Sequence, residues 1–341
     1  MAIVKELVVD GYGSFLGKHQ GRLRVNRQGK KVSEAPLMHL QRVVISGRGV
    51  GLSGDVIAAC CKEGIPIHFV DDHGRPYAGL YAAGLTGTVL SRREQMAAYL
   101  DERGVHVARA LAHAKIGNQA ALLRYLAKYR KEAAPEQYQS LRQSADRVEG
   151  HQEELRRIQG ASIEVVREQF LSCEGRAAQR YWSALLTIVP ADYQWPGRRG
   201  RGAQDPINAA LNYGYGILYS QVEQAIILAG LDPYAGFVHA DRPGKPSLVY
   251  DLIEPYRVPA VDRVVIGLAN KHVRFDLDKH NLLPEQTRRF LAERVLARLN
   301  KPERYEGKRV TLRGVLQHQA RHLTTFLRGD REAFVGFGVV W

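Results

Sequence analysis

Four stretches carry residue types able to do chemistry. In Leu248-Val249-Tyr250-Asp251-Leu252-Ile253-Glu254-Pro255-Tyr256-Arg257, Leu248 and Leu252 form an i,i+4 apolar pair, and Asp251 and Glu254 lie three apart on one helical face. Carboxylates that close repel unless a cation stands between or beside them. A divalent metal, solvent or Arg257 would each relieve that repulsion. His239, in Phe237-Val238-His239-Ala240-Asp241, reads by itself as a hydrogen-bonded core residue. Glu174 reads by itself as a surface charge, but its neighbour Gly175 interrupts a helical stretch at a cost of about 1 kcal/mol against alanine. A backbone that must approach something there would justify that cost. Lastly, Gly197-Arg198-Arg199-Gly200-Arg201-Gly202 sets three arginines among three glycines. Such a loop suits phosphate, since glycine permits close backbone approach and guanidinium forks match phosphate oxygens. A solvated surface loop is the other reading.

The elements that must position these groups follow from the pattern. Asp205-Pro206 places an N-cap and a first-turn proline at the start of a helix running to about Ala229, where Gly230-Leu231-Asp232-Pro233 stops it. Leu211, Tyr215, Leu218, Val222 and Ile226 follow 3–4 spacing and form its core face. Asn208 and Asn212, one turn apart on another stripe, suit helix-to-loop hydrogen bonds. Arg92–Arg130, Pro135–Gln159 and Ser162–Val189 are Ala/Leu/Gln/Glu/Arg-rich, short of proline, and read as helices. Residues 1–84 read as β-rich. Strand candidates are Ile3–Val9, Gly21–Val25 with alternating cationic and apolar residues, Arg42–Ser46, Ile65–Val70 and Tyr77–Tyr81. A short helix from Ser53 to Cys61 and a turn at Asp72–Arg75 interrupt them. The expectation is an α+β protein: a β-rich domain over 1–84, a linker over 85–90, and a larger all-α domain over 91–341.

Composition narrows the partners. The 341 residues are 45% hydrophobic and 25% charged, which excludes disorder as the main state. The 49 Lys+Arg against 35 Asp+Glu give a net charge of +14, favouring a polyanion, nucleic acid first and an anionic membrane surface second. Cys60, Cys61 and Cys173 form no C-x-x-C, so zinc-finger and thioredoxin readings fail, and three reduced thiols are expected. No secretory signal or membrane-length apolar run is read, so a soluble, cytoplasmic protein is expected.

In order along the chain stand Cys173-Glu174-Gly175-Arg176-Ala177-Ala178-Gln179-Arg180-Tyr181, then Arg198–Asp205 leading into Pro206–Tyr215, then Gly236-Phe237-Val238-His239, then Leu248–Arg257. Together they resemble the CRISPR-associated integrase-endonuclease family, the CRISPR adaptation protein numbered one. Gly51–Val56 and Gly64–Asp71 are similar to that family's N-terminal half. The resemblance implies an N-terminal β domain, a C-terminal helical domain, a homodimer joined through the β domains, and a complex with the adaptation protein numbered two. It also implies a divalent-metal site at Glu174, His239 and Glu254, with Asp251 as an additional acidic residue. The family often has Asp where this chain has Glu254.

Two carboxylates and an imidazole are a mixed O/N set suited to Mg²⁺ or Mn²⁺ acting on phosphate. The resemblance makes the substrates double-stranded spacer-precursor DNA and the CRISPR repeat, a 3′-hydroxyl of the first attacking a phosphodiester of the second. Arg198, Arg199 and Arg201 are expected on DNA phosphates, with Arg242, Lys245 and Arg257 as further candidates. A non-catalytic basic scaffold and a general metal-dependent nuclease are the competing readings.

Overall fold

The computed structural model describes residues 6–40, 42–63, 65–71, 76–81, 88–200 and 202–341. Arg201, the turn at 72–75, Gly64, residues 85–87 of the expected linker and the start of the first strand candidate lie outside them. The chain divides into two compact units, Met1–Thr86 and Gly87–Trp341.

The first unit contains β1 (Glu6–Asp10), β2 (Ser14–His19), β3 (Arg22–Arg27), β4 (Lys30–Pro36), β5 (Arg42–Ser46), β6 (Gly51–Leu52), α1 (Gly54–Lys62), β7 (Ile67–Val70) and β8 (Pro76–Leu80). One sheet has the order β4-β3-β2-β6 and the other β1-β5-β7-β8. Gln20 and Gly21 have φ of 45° and 72°, and Gln28 and Gly29 50° and 75°, so tight turns with the hairpin twist join β2, β3 and β4. The alternation read in Gly21–Val25 is what the strand does. Leu23 and Val25 are buried, while Arg22 and Arg24 pair with Glu34 on β4. Ser53 caps α1 by accepting the Val56 N–H, and Val56, Ala59 and Cys60 seal the core against Val43, Ile45 and Ile67. β2, β4 and β6 have no counterpart among the expected strands.

The second unit contains α2 (Thr88–Tyr99), α3 (Glu102–Lys128), α4 (Pro135–Arg157), α5 (Ile163–Leu186), α6 (Pro206–Leu228), α7 (Ser247–Arg257), α8 (Arg263–Ala269), α9 (Glu285–Leu299), β9 (Pro302–Tyr305), β10 (Lys308–Thr311) and α10 (Leu312–Leu327). Long α3 packs against α4, α5 and α7, and α6 packs against α7, α9 and α10. Three expectations need correction. Arg92–Arg130 is two helices, because Asp101 takes the Arg103 N–H at 2.8 Å and starts α3 afresh. Residues 88–90 of the expected linker are the first turn of α2. The unit is not all-α: β9 and β10 form an antiparallel hairpin. Its turn is Glu306-Gly307, with φ of 46° and 75°. Among the described residues no helix is long and apolar enough to cross a membrane, and the three cysteines are unbonded.

Candidate metal centre

The site is built around a carboxylate with no room for error. Gly236 brings the segment before His239 against α7; a Cβ there would stand 2.6 Å from Ser247 Cβ and 2.9 Å from Asp251 Oδ2. That approach lets Phe237 and Val238 donate their N–H groups to Asp251 Oδ2 at 2.6 and 3.0 Å. The His239 N–H reaches Oδ1 at 2.9 Å, and His239 Nδ1 lies 2.7 Å from the same oxygen. A carboxylate only accepts, so Nδ1 carries the proton, and in the neutral ring the lone pair is on Nε2. Asp251, 2% exposed, is therefore spent on four donors and orients the imidazole. Burial works against a charged His239. The Asp251 hydrogen bond and charge, with Glu254 and Glu174 beyond, outweigh it and hold the imidazole above its ordinary value.

Glu254, one turn after Asp251 on α7, and Glu174, on α5, are both buried. Lys115, on α3, joins them. Its Nζ lies 2.6 Å from Glu174 Oε2 and 2.9 Å from Glu254 Oε2. Arg257 Nη2 stands 3.2 Å from the other Glu254 oxygen. Burial pushes the Glu254 carboxyl up, but Arg257, Lys115 and His239 hold it well below the usual carboxylate range. Burial likewise opposes the Lys115 ammonium, and the two glutamates overcome it and keep the group protonated. Lys115 was not singled out from the sequence. The available signal was a lysine one turn from Leu111 and Asn118, which are both buried on α3.

The frame of α7 has its own support. Pro259 has no N–H to offer the Pro255 carbonyl four residues back, so that carbonyl would be orphaned inside the core. Asn118 on α3 supplies the missing donor, with Nδ2 2.6 Å from Pro255 O. Buried Gln95 on α2 grips the segment leading to His239, donating to Asp232 O and Ala235 O at 2.9 and 2.7 Å and accepting the Asp232 N–H at 2.8 Å. A Cβ at Gly175 would meet nothing within 4 Å, so no close approach explains the glycine.

The arginine loop is pinned to the start of α6. Asp205 caps that helix, taking the Asn208 N–H at 2.8 Å. Asn208 accepts the Arg199 N–H at 2.9 Å and donates to Gly197 O at 2.8 Å, and Asn212 donates to Gly200 O at 2.9 Å. Arg198 spends Nη1 on Asn208 (3.1 Å) and Nη2 on Asn212 (2.9 Å). Its guanidinium lies 5.3 Å from the Tyr215 ring centre, and that of Arg257 4.9 Å from the same ring. Tyr215 is fixed by donating to buried Asp262, which Tyr181 also serves, at 2.5 and 2.8 Å. Arg198 and Arg257 thus shape the site's wall, whereas Arg199 and Arg242 are exposed and Lys245 is half-buried.

The donor types are ones a divalent cation takes. Two buried carboxylates share the Lys115 ammonium, and the His239 imidazole, when neutral, offers Nε2 as a nitrogen donor. With the ammonium between them the carboxylates stand off. Among the described residues the three ligand-type side chains whose donor atoms all lie within 4.8 Å of one another are His151, Glu154 and Cys173 rather than Glu174, His239 and Glu254.

Comparison with known proteins bears on the whole chain. The family described as CRISPR associated protein Cas1 matches residues 7–295. A protein of Archaeoglobus fulgidus named CRISPR-associated endonuclease Cas1 1 is 38% identical over 346 residues, spanning 98% of this chain and 99% of that one. Among solved structures, a casposase bound to its integration product shares the fold with a TM-score of 0.82 at 24% identity, covering 97% of this chain and 93% of that one. A Cas6-RT-Cas1–Cas2 complex matches with a TM-score of 0.77 at 21% identity, over 100% of this chain and 37% of that longer one.

Proposed function

The chain belongs to the Cas1 family of CRISPR-associated proteins, and on that premise we propose that it is a divalent-metal-dependent DNA endonuclease and integrase that inserts new spacer DNA into a CRISPR array. The observation that carries the reading is the Lys115 ammonium shared by Glu174 and Glu254, beside a His239 whose Nδ1 is taken by Asp251. Lys115, Glu174 and Glu254 come from three separate helices, and Arg257 adds a second cation on Glu254. Glu174, Glu254 and His239 Nε2 would hold the cation, Mg²⁺ or Mn²⁺. Bound there, such an ion supplies polarisation of a phosphodiester and stabilisation of the attacking and leaving oxygens. Asp251 keeps the imidazole in the ligating tautomer, and Arg257 keeps Glu254 ionised. With a cation held by those carboxylates, the Lys115 ammonium would be available to phosphate oxygens.

In the joining reaction a DNA 3′-hydroxyl gives its proton to solvent and its oxygen forms a new bond to phosphorus, while the repeat's own P–O3′ bond breaks and the departing O3′ takes a proton from solvent to become a free 3′-hydroxyl. With water in place of the hydroxyl the outcome is hydrolysis, so both activities arise from one site. No side chain forms a covalent bond to DNA. The net charge of +14 and exposed Arg199 and Arg242 support DNA as partner. The relative named an endonuclease and the casposase held on its integration product are consistent with this chemistry. The Cas1–Cas2 complex motivates Cas2 as the protein partner.

The test is strand joining: a short duplex incubated with a repeat-bearing plasmid, Cas2 and Mn²⁺ gives plasmid-linked duplex joined at the repeat. Cleavage without joining would leave only the nuclease. The β unit is assigned dimerisation, since its sheet edges need cover. A chain starting at Gly87 sediments as a monomer, and a dimer would refute that assignment.

A further inference from the structure

The threesome of His151, Glu154 and Cys173 lies apart from the chemistry above and is a different kind of site. His151 and Glu154 are three residues apart on α4, hence on one face, and Cys173 faces them from α5. The His151 ring is 5% exposed. Its Nδ1 lies 2.7 Å from Glu154 Oε1, yet neither buried ring nitrogen makes a well-formed hydrogen bond among the described residues. The Cys173 thiol, 2% exposed, reaches the His151 carbonyl at 3.4 Å and also hydrogen-bonds the Glu154 carboxylate, so it points into the same cluster. Arg176 pairs with the second oxygen of Glu154, leaving Oε1 turned inward. A solvent-open cleft lined by Glu154, Gln169, Ser172, Cys173 and Arg176 reaches the cluster.

We propose that His151, Glu154 and Cys173 form a second metal site, selective for a borderline-soft divalent cation of the zinc type. Imidazole, carboxylate and thiolate are the ligand types zinc takes, and thiolate disfavours Mg²⁺ and Ca²⁺. Three protein ligands leave one tetrahedral position, which water from the cleft fills. On binding, the Cys173 thiol gives its proton to solvent and its sulfur lone pair to the metal, and the thiolate and carboxylate together balance the 2+ charge. The metal ties α4 to α5 at the residue immediately before Glu174, so it stiffens the helix that carries a carboxylate of the hard site without sharing a ligand with it.

The experiment uses Co²⁺, a spectroscopic stand-in for zinc, added to the chelator-treated full-length protein. A thiolate-to-cobalt charge-transfer band in the near ultraviolet, with the visible bands of tetrahedral cobalt, is expected, and excess Zn²⁺ should abolish both. Cys173→Ala loses the charge-transfer band, and His239→Ala keeps it. Glu154→Gln, at an exposed position that leaves packing intact, needs at least about 10-fold more Co²⁺, since even residues that only support a ligand typically cost 10–100-fold in affinity. Absence of the band in the wild type, its survival in Cys173→Ala, its loss in His239→Ala, or an unshifted Glu154→Gln titration would each overturn the proposal.

Discussion

His239 Nδ1 sits 2.7 Å from Asp251 Oδ1, and the Asp251 carboxylate also takes the N–H groups of Phe237, Val238 and His239. A side chain from α7 thereby fixes both the backbone and the ring of a residue that has no regular element of its own.

That pairing sets a pH dependence. The folded-state pKa of His239 is raised, so the stability from its charged pair with Asp251 is fully present below about 6.5 and is lost as pH rises through the raised value. Ligation needs the neutral ring and runs the other way. Metal-dependent activity therefore falls on acidification already above about pH 6.5, earlier than an ordinary histidine would give. In Asp251→Asn the His239 ring, followed by NMR titration, drops in pKa, and activity falls about 10–100-fold. An unmoved titration would refute Asp251 as the orienting group.

Lys115→Met removes the cation that Glu174 and Glu254 share and leaves both charges buried. Such a loss costs about 3–5 kcal/mol, read as a lower denaturation midpoint in chelator. Saturating Mn²⁺ should restore more stability to this variant than to wild type, because the ion no longer competes with the ammonium. At 100-fold over the dissociation constant, ligand binding contributes about 2.7 kcal/mol. Equal Mn²⁺ responses in the two proteins would place the ion elsewhere.

The two kinds of arginine separate in a salt titration. Arg199→Ala should weaken DNA binding and flatten its salt dependence by roughly one slope unit. Arg198→Ala should act mainly on thermal stability, since its guanidinium is engaged by Asn208, Asn212 and the Tyr215 face. Equal slopes for Arg199→Ala and wild type would return that side chain to plain solvent.

Much of the frame was legible because it is local. Asp205-Pro206 opens α6 where capping chemistry puts it, and the apolar stripe from Leu211 to Ile226 is buried as its spacing requires. Asn208 and Asn212 bond to the loop, as their place off that stripe suggested. The break between α2 and α3 was missed because the cap Asp101 sits inside a run of good helix formers, and the β9–β10 hairpin because its strands have four residues each. The site itself was legible only through family resemblance. Nothing local in Ala114-Lys115-Ile116 says that an ammonium will meet carboxylates 59 and 139 positions further along the chain. Nor does Asp251 announce that its carboxylate will take the backbone N–H groups of 237–239.

The most direct measurement pairs a Mn²⁺-dependent DNA cleavage and joining assay with a gel shift on Glu174→Ala, His239→Ala and Glu254→Ala. Each variant should lose cleavage and joining while binding DNA like wild type, since binding rests on exposed cationic side chains and the reaction on the three ligands. Wild-type activity in His239→Ala would contradict the metal centre, and parallel loss of binding and activity in all three would contradict its separation from the DNA surface.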